Sequence, residues 1–204
     1  MHYEILDKKR LDILPLLAKL KKDFYLAGGT GLALQLGHRD SIDFDFFTPK
    51  DFDPKVLFNE LKVFFKDYKI LKVQEEKNTL TVLLDRQIKI SFFTYKYKLI
   101  GKTINDQYLR IASEEDIACM KLSAIVSRST NKDYIDLYYL VQKISLKKML
   151  KLAAKKMPDL DTNLILKSLV YFADIDIEAI KFKNKHQVGL KKIEEYLKKE
   201  VGVL

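Results

Sequence analysis

The spacing of hydrophobic and polar residues changes near residue 110 and divides the chain into two parts. Before that point, apolar side chains alternate with polar ones or form short runs, a pattern typical of strands with helices between them. After it, apolar side chains recur every three to four residues, which is typical of amphipathic helices. The pattern predicts an α+β core over residues 1–110 and a helical C-terminal region over residues 111–204.

The first region is expected to hold five strands and three helical segments. The strands are predicted at residues 24–26, 41–47, 69–74, 79–84 and 87–94. The helical segments are predicted at residues 8–22, 31–36 and 54–66. Tight turns would join the last three strands into an antiparallel meander. The helix at 54–66 follows an Asp53 cap and begins with Pro54, a residue favoured at the first helical position.

The second region is expected to consist of helices. They are predicted to start at Ser113 and Asn131 and to span residues 146–157, 161–172, 177–181 and 188–199, with breaks at 158–159 and 184–186. Ser113 is followed by three acidic residues, and acidic side chains are stabilising in the first turn of a helix. Ser113 is therefore expected to cap the helix.

Composition limits the class of protein. The 204 residues are 48% hydrophobic, enough for one generous domain or two small ones. The single cysteine, Cys119, excludes an intrachain disulfide and a cysteine-based zinc site. There is no basic-then-apolar leader and no apolar run of membrane length, so we expect a cytoplasmic protein that does not span a membrane.

The chain is basic, with 37 lysines and arginines against 28 acidic residues and a net charge of +9. Such a charge suits an acidic partner such as RNA, although the same excess keeps many proteins soluble. The lysines after residue 142 are spaced mostly as solvated helix faces. An RNA-binding surface and a solvated surface both remain open interpretations there.

A glycine pair follows the first predicted strand. Gly28 and Gly29 allow unusual backbone angles and close approach of a ligand, because glycine has no Cβ. Thr30 then opens a short helical segment, and the amides at a helix N-terminus favour anions such as phosphate. We therefore expect a phosphate cradle formed by Gly28, Gly29 and Thr30.

Two carboxylates lie two residues apart on the next predicted strand. Asp43 and Asp45 share one face of it, while Ile42, Phe44 and Phe46 share the other. Mg²⁺ takes hard oxygen ligands and often joins one or two carboxylates to substrate phosphates, which makes the pair a candidate metal site. The alternative is an edge strand that carries two solvated acids.

A lysine falls within the apolar stripe of the helix that starts at Ser113. Lys121 needs a negative partner if it points inward, and otherwise extends along the edge of the stripe into solvent. Asp133 and Asp136 lie on the apolar face of the following helix, which predicts a polar cluster with Lys121. Arg128 is expected either to bind phosphate or to pair with Asp133. Asp133 is also explained as an acid favoured near a helix start.

These motifs resemble those of a known family. Gly-Gly-Thr at 28–30, Gly-His-Arg at 37–39 and Ser-Ile-Asp-Phe-Asp-Phe-Phe at 41–47 are similar to the opening motif of the AbiEii/AbiGii toxin-type nucleotidyltransferases. That family belongs to the DNA polymerase β-like nucleotidyltransferase superfamily. The segment 115–137, which contains Lys121, resembles the second half of its signature. The resemblance implies a mixed sheet with flanking helices, followed by a helical C-terminal half that completes the active site.

The resemblance also implies site residues. Asp43 and Asp45 would bind Mg²⁺ or Mn²⁺ and, with Lys121 and Asp136, would be catalytic. The NTP would be bound by residues of both motifs: Gly28, Gly29, Thr30, Arg39, Arg128 and Asp133. In this family a helical lysine and a downstream aspartate complete the site.

The implied function is transfer of a nucleotidyl group from an NTP to an acceptor, either a tRNA 3′ end or other RNA, or a protein hydroxyl. The protein would be the toxin of a toxin–antitoxin or phage-defence system, with a cognate antitoxin as partner. Ser91 departs from the superfamily pattern, because it stands where a third carboxylate is expected. A kinase on the same scaffold and a binding module without catalysis are the alternatives.

Overall fold

The computed structural model describes residues 1–183 and 185–204, so Asn184 of the predicted break at 184–186 lies outside the described residues. The chain forms two compact units. The sheet unit contains residues 1–98 and 102–112, and the helical unit contains residues 99–101 and 113–204. None of the helices in the described part of the chain combines the length and apolarity that a membrane crossing requires.

A mixed seven-stranded sheet forms the centre of the sheet unit, as the predicted α+β class requires. Its strands are β1 Tyr25–Leu26, β2 Phe44–Thr48, β3 Ile70–Glu76, β4 Thr79–Leu84, β5 Ile88–Thr94, β6 Ile104–Asn105 and β7 Arg110–Ile111. Their order across the sheet is β3-β4-β5-β2-β1-β7-β6. The β3-β4-β5 meander is antiparallel, as predicted, whereas β2 pairs with β5 and β1 with β7 in parallel.

Three helices accompany this sheet. They are α1 Lys8–Leu17, which continues into a 3-10 turn at Ala18–Leu20, α2 Gly28–Leu36 and α3 Pro54–Phe64. One face of the sheet carries the apolar core, in which Phe44 and Phe46 of β2 lie with Phe92 of β5. The aspartate cap predicted for α3 is present, because the Asp53 carboxylate accepts from the amide of Lys55.

The second strand starts three residues later than predicted, at Phe44. The carbonyl of Ile42 accepts from the Arg10 guanidinium, and the carbonyl of Asp43 accepts from the Thr30 hydroxyl. These backbone acceptors are bound by side chains rather than by a neighbouring strand. Ile42, which was expected to share the buried face, is instead 53% exposed.

Strands β6 and β7 are absent from the prediction. Each has only two residues, which is too short to give an alternating pattern. In β7, Ile111 is the register partner of Leu26, and the next amide, that of Ala112, donates to the Leu26 carbonyl. This parallel pairing fixes the end of the sheet unit beside the strand that precedes the glycine pair.

The helical unit contains five helices in its described residues. They are α4 Glu114–Ser127, α5 Asn131–Lys143, α6 Leu146–Lys156, α7 Thr162–Val170 and α8 Leu190–Gly202. The predicted cap of α4 is present, since the Ser113 hydroxyl accepts from the amide of Asp116. The five predicted helices that these match are confirmed, with ends displaced by a few residues.

The sixth predicted helix, at residues 177–181, is wrong. The side-chain amide of Asn131 donates to the Glu178 carbonyl at 2.8 Å and accepts from its amide at 3.2 Å. Asp176 forms a bridge with Thr130, which holds the segment extended beside the start of α5. Ile177 is 69% exposed, so the apolar residues of this segment do not form a core-facing stripe.

Candidate functional site

The paired glycines form the first turn of α2 and lie against two of the predicted site residues. Gly28 has a φ of +63°, a conformation that costs little only for glycine. A Cβ at Gly28 would lie 3.2 Å from Oδ2 of Asp45, and one at Gly29 would lie 2.5 Å from Nη2 of Arg39. The missing side chains therefore allow the carboxylate and the guanidinium to reach the helix start.

The N-terminus of α2 has the features of an anion site. The preceding residue, Ala27, has no side-chain oxygen that can cap the helix. The first amides of a helix have no acceptor within it, and the helix dipole favours negative charge at this end. The start of α2 is thus suited to phosphate oxygens.

Asp43 and Asp45 lie beside this helix start. Both are half-buried; Asp45 belongs to β2, whereas Asp43 comes just before it. The amide of Ala27 donates to the backbone carbonyl of Asp45 at 3.1 Å, which ties the end of β1 to β2. Lys89 approaches Oδ2 of Asp43 to 4.0 Å. Two accessible carboxylates and the glycine turn therefore form one local arrangement.

The carboxylate pair fits a divalent metal that is shared with a substrate. In the described part of the chain, no group of three or more His, Cys, Asp or Glu residues is arranged to hold a metal ion. Mg²⁺ usually keeps several waters and takes one or two carboxylates together with substrate phosphates. Two carboxylates beside a helix start suited to phosphate oxygens meet that requirement.

Ser91 lies directly beside Asp45 in the sheet. The two residues are register partners in the parallel β2–β5 ladder, and Ser91 is 1% exposed. Its hydroxyl accepts from Thr81 of β4 at 3.4 Å. The position expected for a third carboxylate thus holds a buried neutral hydroxyl.

The Thr30 hydroxyl is engaged within the protein. It lies 2.7 Å from Oγ of Ser41 and donates to the carbonyl of Asp43. A contact with substrate phosphates, as predicted for this hydroxyl, would require it to leave both partners. In this geometry Thr30 holds the segment that leads to Asp43.

Arg10 is a residue of this site that the sequence did not point to. Its guanidinium is buried and donates to the carbonyl of Ile42 at 2.5 Å and to that of Gln87 at 3.0 Å. It also pairs with Asp7. Ile42 precedes Asp43 and Gln87 precedes β5, so one cation holds the starts of the two strands that carry Asp45 and Ser91.

The predicted polar cluster of the helical unit is present. Nζ of Lys121 lies 2.7 Å from Oδ1 of Asp133 and 2.5 Å from Oδ2 of Asp136. All three side chains are buried. Two carboxylates therefore share one ammonium group, as the spacing on α4 and α5 predicts.

Arg128 completes this cluster at its exposed side. Its Nε donates to Oδ2 of Asp133 at 2.9 Å, and the Thr130 hydroxyl donates to the same oxygen at 2.9 Å. Burial raises the pKa of Asp133, but the charge of Lys121 and the hydrogen bonds from Arg128 outweigh it, so this pKa lies below its usual range. The Arg128 side chain is 62% exposed, which leaves part of it accessible to an anion.

A second buried ion pair in this unit joins Asp116 of α4 to Lys156 of α6, at 2.5 Å. The Asp116 carboxylate also accepts from the amides of Ile100 and Gly101, at 2.9 Å each, and from the Ser113 hydroxyl. Burial raises the pKa of Asp116, and these donors more than offset it, so the pKa is lowered. The pair anchors residues 99–101 to α4.

The helical unit also contains a cavity of about 440 Å³. It lies between Ile125 of α4, Tyr134 of α5 and Lys167 of α7, among others. None of the residues predicted to be catalytic or to bind nucleotide lines it. The cavity therefore adds nothing to the candidate site.

Replacing Gly28 by alanine is expected to lower both stability and activity. The left-handed backbone costs a residue with a Cβ about 1–2 kcal/mol, and the new methyl group would press against the Asp45 carboxylate. Urea unfolding measures the first effect and a transfer assay the second. Gly202→Ala is the matched control, because a Cβ there meets nothing within 4 Å. Equal stability of Gly28→Ala and wild type would contradict the strain argument.

Comparison with known proteins identifies the family. The family model described as "Nucleotidyl transferase AbiEii toxin, Type IV TA system" matches residues 15–200. An uncharacterized protein of Aquifex aeolicus (strain VF5) is 42% identical over 187 residues, which cover 86% of this chain and 88% of that protein.

Solved structures share the fold at low sequence identity. JHP933 from Helicobacter pylori is 19% identical, with a TM-score of 0.62 over 98% of this chain and 91% of its own. MenT4, a nucleotidyltransferase toxin from Mycobacterium tuberculosis H37Rv, is 15% identical, with a TM-score of 0.64 over 95% of this chain and 80% of its own. The chain thus has the α+β, nucleotidyltransferase-like fold of these structures, built on a mixed seven-stranded sheet. Because the family model covers most of its length, the chain belongs to the AbiEii family of nucleotidyltransferase toxins.

Proposed function

We propose that this nucleotidyltransferase moves a nucleotidyl group from an NTP to the 3′ end of an RNA, with tRNA as the first candidate. The observation that carries the proposal is the contact between the start of α2 and the carboxylate pair, where Gly28 leaves room for the side chain of Asp45. A phosphate-binding turn beside two metal-binding oxygens is what a triphosphate requires. The net charge of +9 supports an RNA acceptor.

In the proposed reaction, the acceptor hydroxyl forms a bond to the α-phosphorus of the NTP. The bond from that phosphorus to the bridging oxygen breaks, and pyrophosphate leaves. Asp43 and Asp45 would hold Mg²⁺ or Mn²⁺, which supplies neutralisation of the charge that develops on the phosphates. The amides of Gly28 and Gly29 would bind the departing phosphates, and the Arg39 guanidinium beside Gly29 would add positive charge there.

Lys121 and Asp136 are proposed as catalytic residues on the strength of their match to the family motif. Lys121 would stabilise negative charge, and Asp136 would accept a proton or orient the lysine. What supports these roles is the shared contact of both acids with one buried ammonium group. Asp133 would hold Lys121 in place, and Arg128, whose side chain is largely exposed, would contact phosphate.

The toxin family implies an antitoxin as partner. We propose that a cognate antitoxin restrains the activity and that the protein acts in the cytoplasm, where NTP and tRNA are available. Two alternatives are transfer to a protein hydroxyl and kinase activity. The test described next distinguishes both from transfer to RNA.

The test is incubation of the folded protein with Mg²⁺, total cellular RNA and each NTP, labelled in turn at the α- and the γ-phosphate. Label from the α position is expected in RNA, and label from the γ position in neither RNA nor protein. Transfer of γ label would instead indicate a kinase, and α label in protein alone would move the acceptor to a protein hydroxyl. No transfer of either label by folded protein would contradict the proposal.

A further inference from the structure

A row of aromatic rings extends from the carboxylate pair along one face of the sheet. Phe47 shares that face of β2 with Asp45, because side chains two residues apart in a strand point the same way. Phe93 of β5 is its register partner, and the two ring centroids are 5.4 Å apart. Tyr95 lies 5.9 Å from Phe47, and Tyr97 lies 5.2 Å from Tyr95. We name Phe47, Phe93, Tyr95 and Tyr97 the aromatic row.

The row is fixed in position relative to the carboxylates. Phe47 follows Asp45 by two residues, a distance of roughly 7 Å along a strand. The amide of Tyr95 donates to the carbonyl of Thr48 at 2.8 Å, which continues the pairing of the two strands past the end of β5. Tyr95 is thus held to the same strand that carries Asp45.

These rings lie outside the hydrophobic core of the sheet unit, although Phe47 also stacks on the buried ring of Tyr25, with centroids 6.1 Å apart. That core lies on the opposite face of the sheet, where Phe44, Phe46 and Phe92 are buried. All four members of the row are only half-buried. Partly exposed aromatic rings beside a polar site are typical of surfaces that stack nucleic-acid bases.

Lysines flank the row. Lys96 and Lys98 alternate with the two tyrosines, and Lys50 follows β2; all three are exposed. Lys96 pairs with Asp51 at 2.5 Å. Basic side chains beside aromatic rings match the two components of single-stranded nucleic acid, its phosphates and its bases.

We infer that the aromatic row binds the unpaired bases at the 3′ end of an RNA acceptor by stacking. The inference deepens the proposed function and rests on it, because it places the acceptor hydroxyl beside Asp43 and Asp45. An NTP carries a single base, whereas the row presents four rings and neighbouring cations to a chain of several nucleotides. An RNA end that remains base-paired would not offer free base faces to it.

The test compares two double variants in the full-length protein. Tyr95→Leu with Tyr97→Leu removes two π-faces while it keeps apolar side chains, and Tyr95→Phe with Tyr97→Phe removes only the hydroxyls. Fluorescence anisotropy without NTP measures the affinity for a labelled RNA hairpin with an unpaired 3′ end and for the same hairpin with a blunt end. We expect the leucine variant to bind the unpaired end about 10- to 100-fold more weakly and the phenylalanine variant to bind it like wild type.

Three results would overturn the inference. They are wild-type affinity in the leucine variant, equal loss of affinity for the blunt hairpin, and a rise of the KM for NTP in place of weaker RNA binding. Circular dichroism of both variants establishes that they are folded. Transfer of α label by the wild-type protein is measured separately, so a loss of the proposed function is distinguished from a loss of this binding surface.

Discussion

Asp45→Asn is expected to lower nucleotidyl transfer by at least about 10³-fold, because the metal that we propose this carboxylate holds would supply several kcal/mol of transition-state stabilisation. Asparagine keeps the size of the side chain next to Gly28 but removes its charge. Asp43→Asn should have the same consequence, since the described part of the sheet unit offers the metal no third carboxylate at Ser91. The measurement is the initial rate of α-label transfer at saturating NTP and Mg²⁺.

The control for this experiment is Asp12→Asn, which removes an exposed carboxylate of α1. It should transfer label at the wild-type rate. Circular dichroism and urea unfolding establish that the site variants remain folded. Wild-type transfer by both Asp43→Asn and Asp45→Asn would contradict the metal site and favour the interpretation of two solvated acids.

Lys121→Met is expected to destabilise the helical unit by about 3–5 kcal/mol, the usual cost of removing one partner from a buried ion pair. The change leaves the Asp133 and Asp136 carboxylates buried without the ammonium that they share. Urea unfolding followed by circular dichroism measures the loss. Lys198→Met is the matched control, because its exposed pair with Glu194 is worth only about 0.3–0.5 kcal/mol.

The difference between Lys121→Met and wild type should depend on pH. The pKa of Asp133 is lowered in the folded protein, so the stability that this carboxylate contributes is present above its unfolded value of about 3.9. It is lost as the pH falls from there through the folded pKa. The gap between the two proteins should therefore be widest near neutral pH and narrow below about pH 4. A gap independent of pH would show that lost packing, rather than lost charge pairing, causes the effect.

The elements that the sequence predicted well are those whose signals are local. Asp85 and Arg86 both have positive φ angles, of 49° and 58°, and they form the tight turn expected between the second and third strands of the meander. The Ser113 cap likewise depends on residues within one helical turn. In contrast, β7 exists because Ile111 pairs with Leu26, and the segment at 177–181 is extended because Asn131 binds Glu178. Contacts with residues so far away in the chain produce no periodic pattern of apolar residues in the sequence.

The features of the candidate site that could be predicted also depend on residues close together in the sequence. The contact of Gly28 with Asp45 and the pairing of Lys121 with two aspartates follow from spacing in one short segment each. Arg10 could not be predicted, because its carbonyl partners lie 32 and 77 residues away and an arginine on a surface helix usually points to solvent. The hydrogen bond from the Thr30 hydroxyl to the Asp43 carbonyl could not be predicted either. It exists because β2 begins at Phe44, later than predicted, which leaves that carbonyl outside the sheet.

The register of the parallel β2–β5 ladder keeps the Asp45 carboxylate on the face of the sheet opposite the hydrophobic core. Five consecutive residue pairs join the two strands. Phe44, Phe46 and Phe92 are directed to the core, whereas Asp45 and Ser91 lie on the other side together with Phe47 and Phe93. A slip of one residue would exchange the two sides, bringing a carboxylate into the apolar interior and a core phenylalanine ring to the proposed metal site. Because of this cost in free energy, we do not expect the strands to slide past each other in the folded protein, and we expect no folded state that is partly inactive. Heat or denaturant should abolish catalysis only at the point where the whole sheet comes apart.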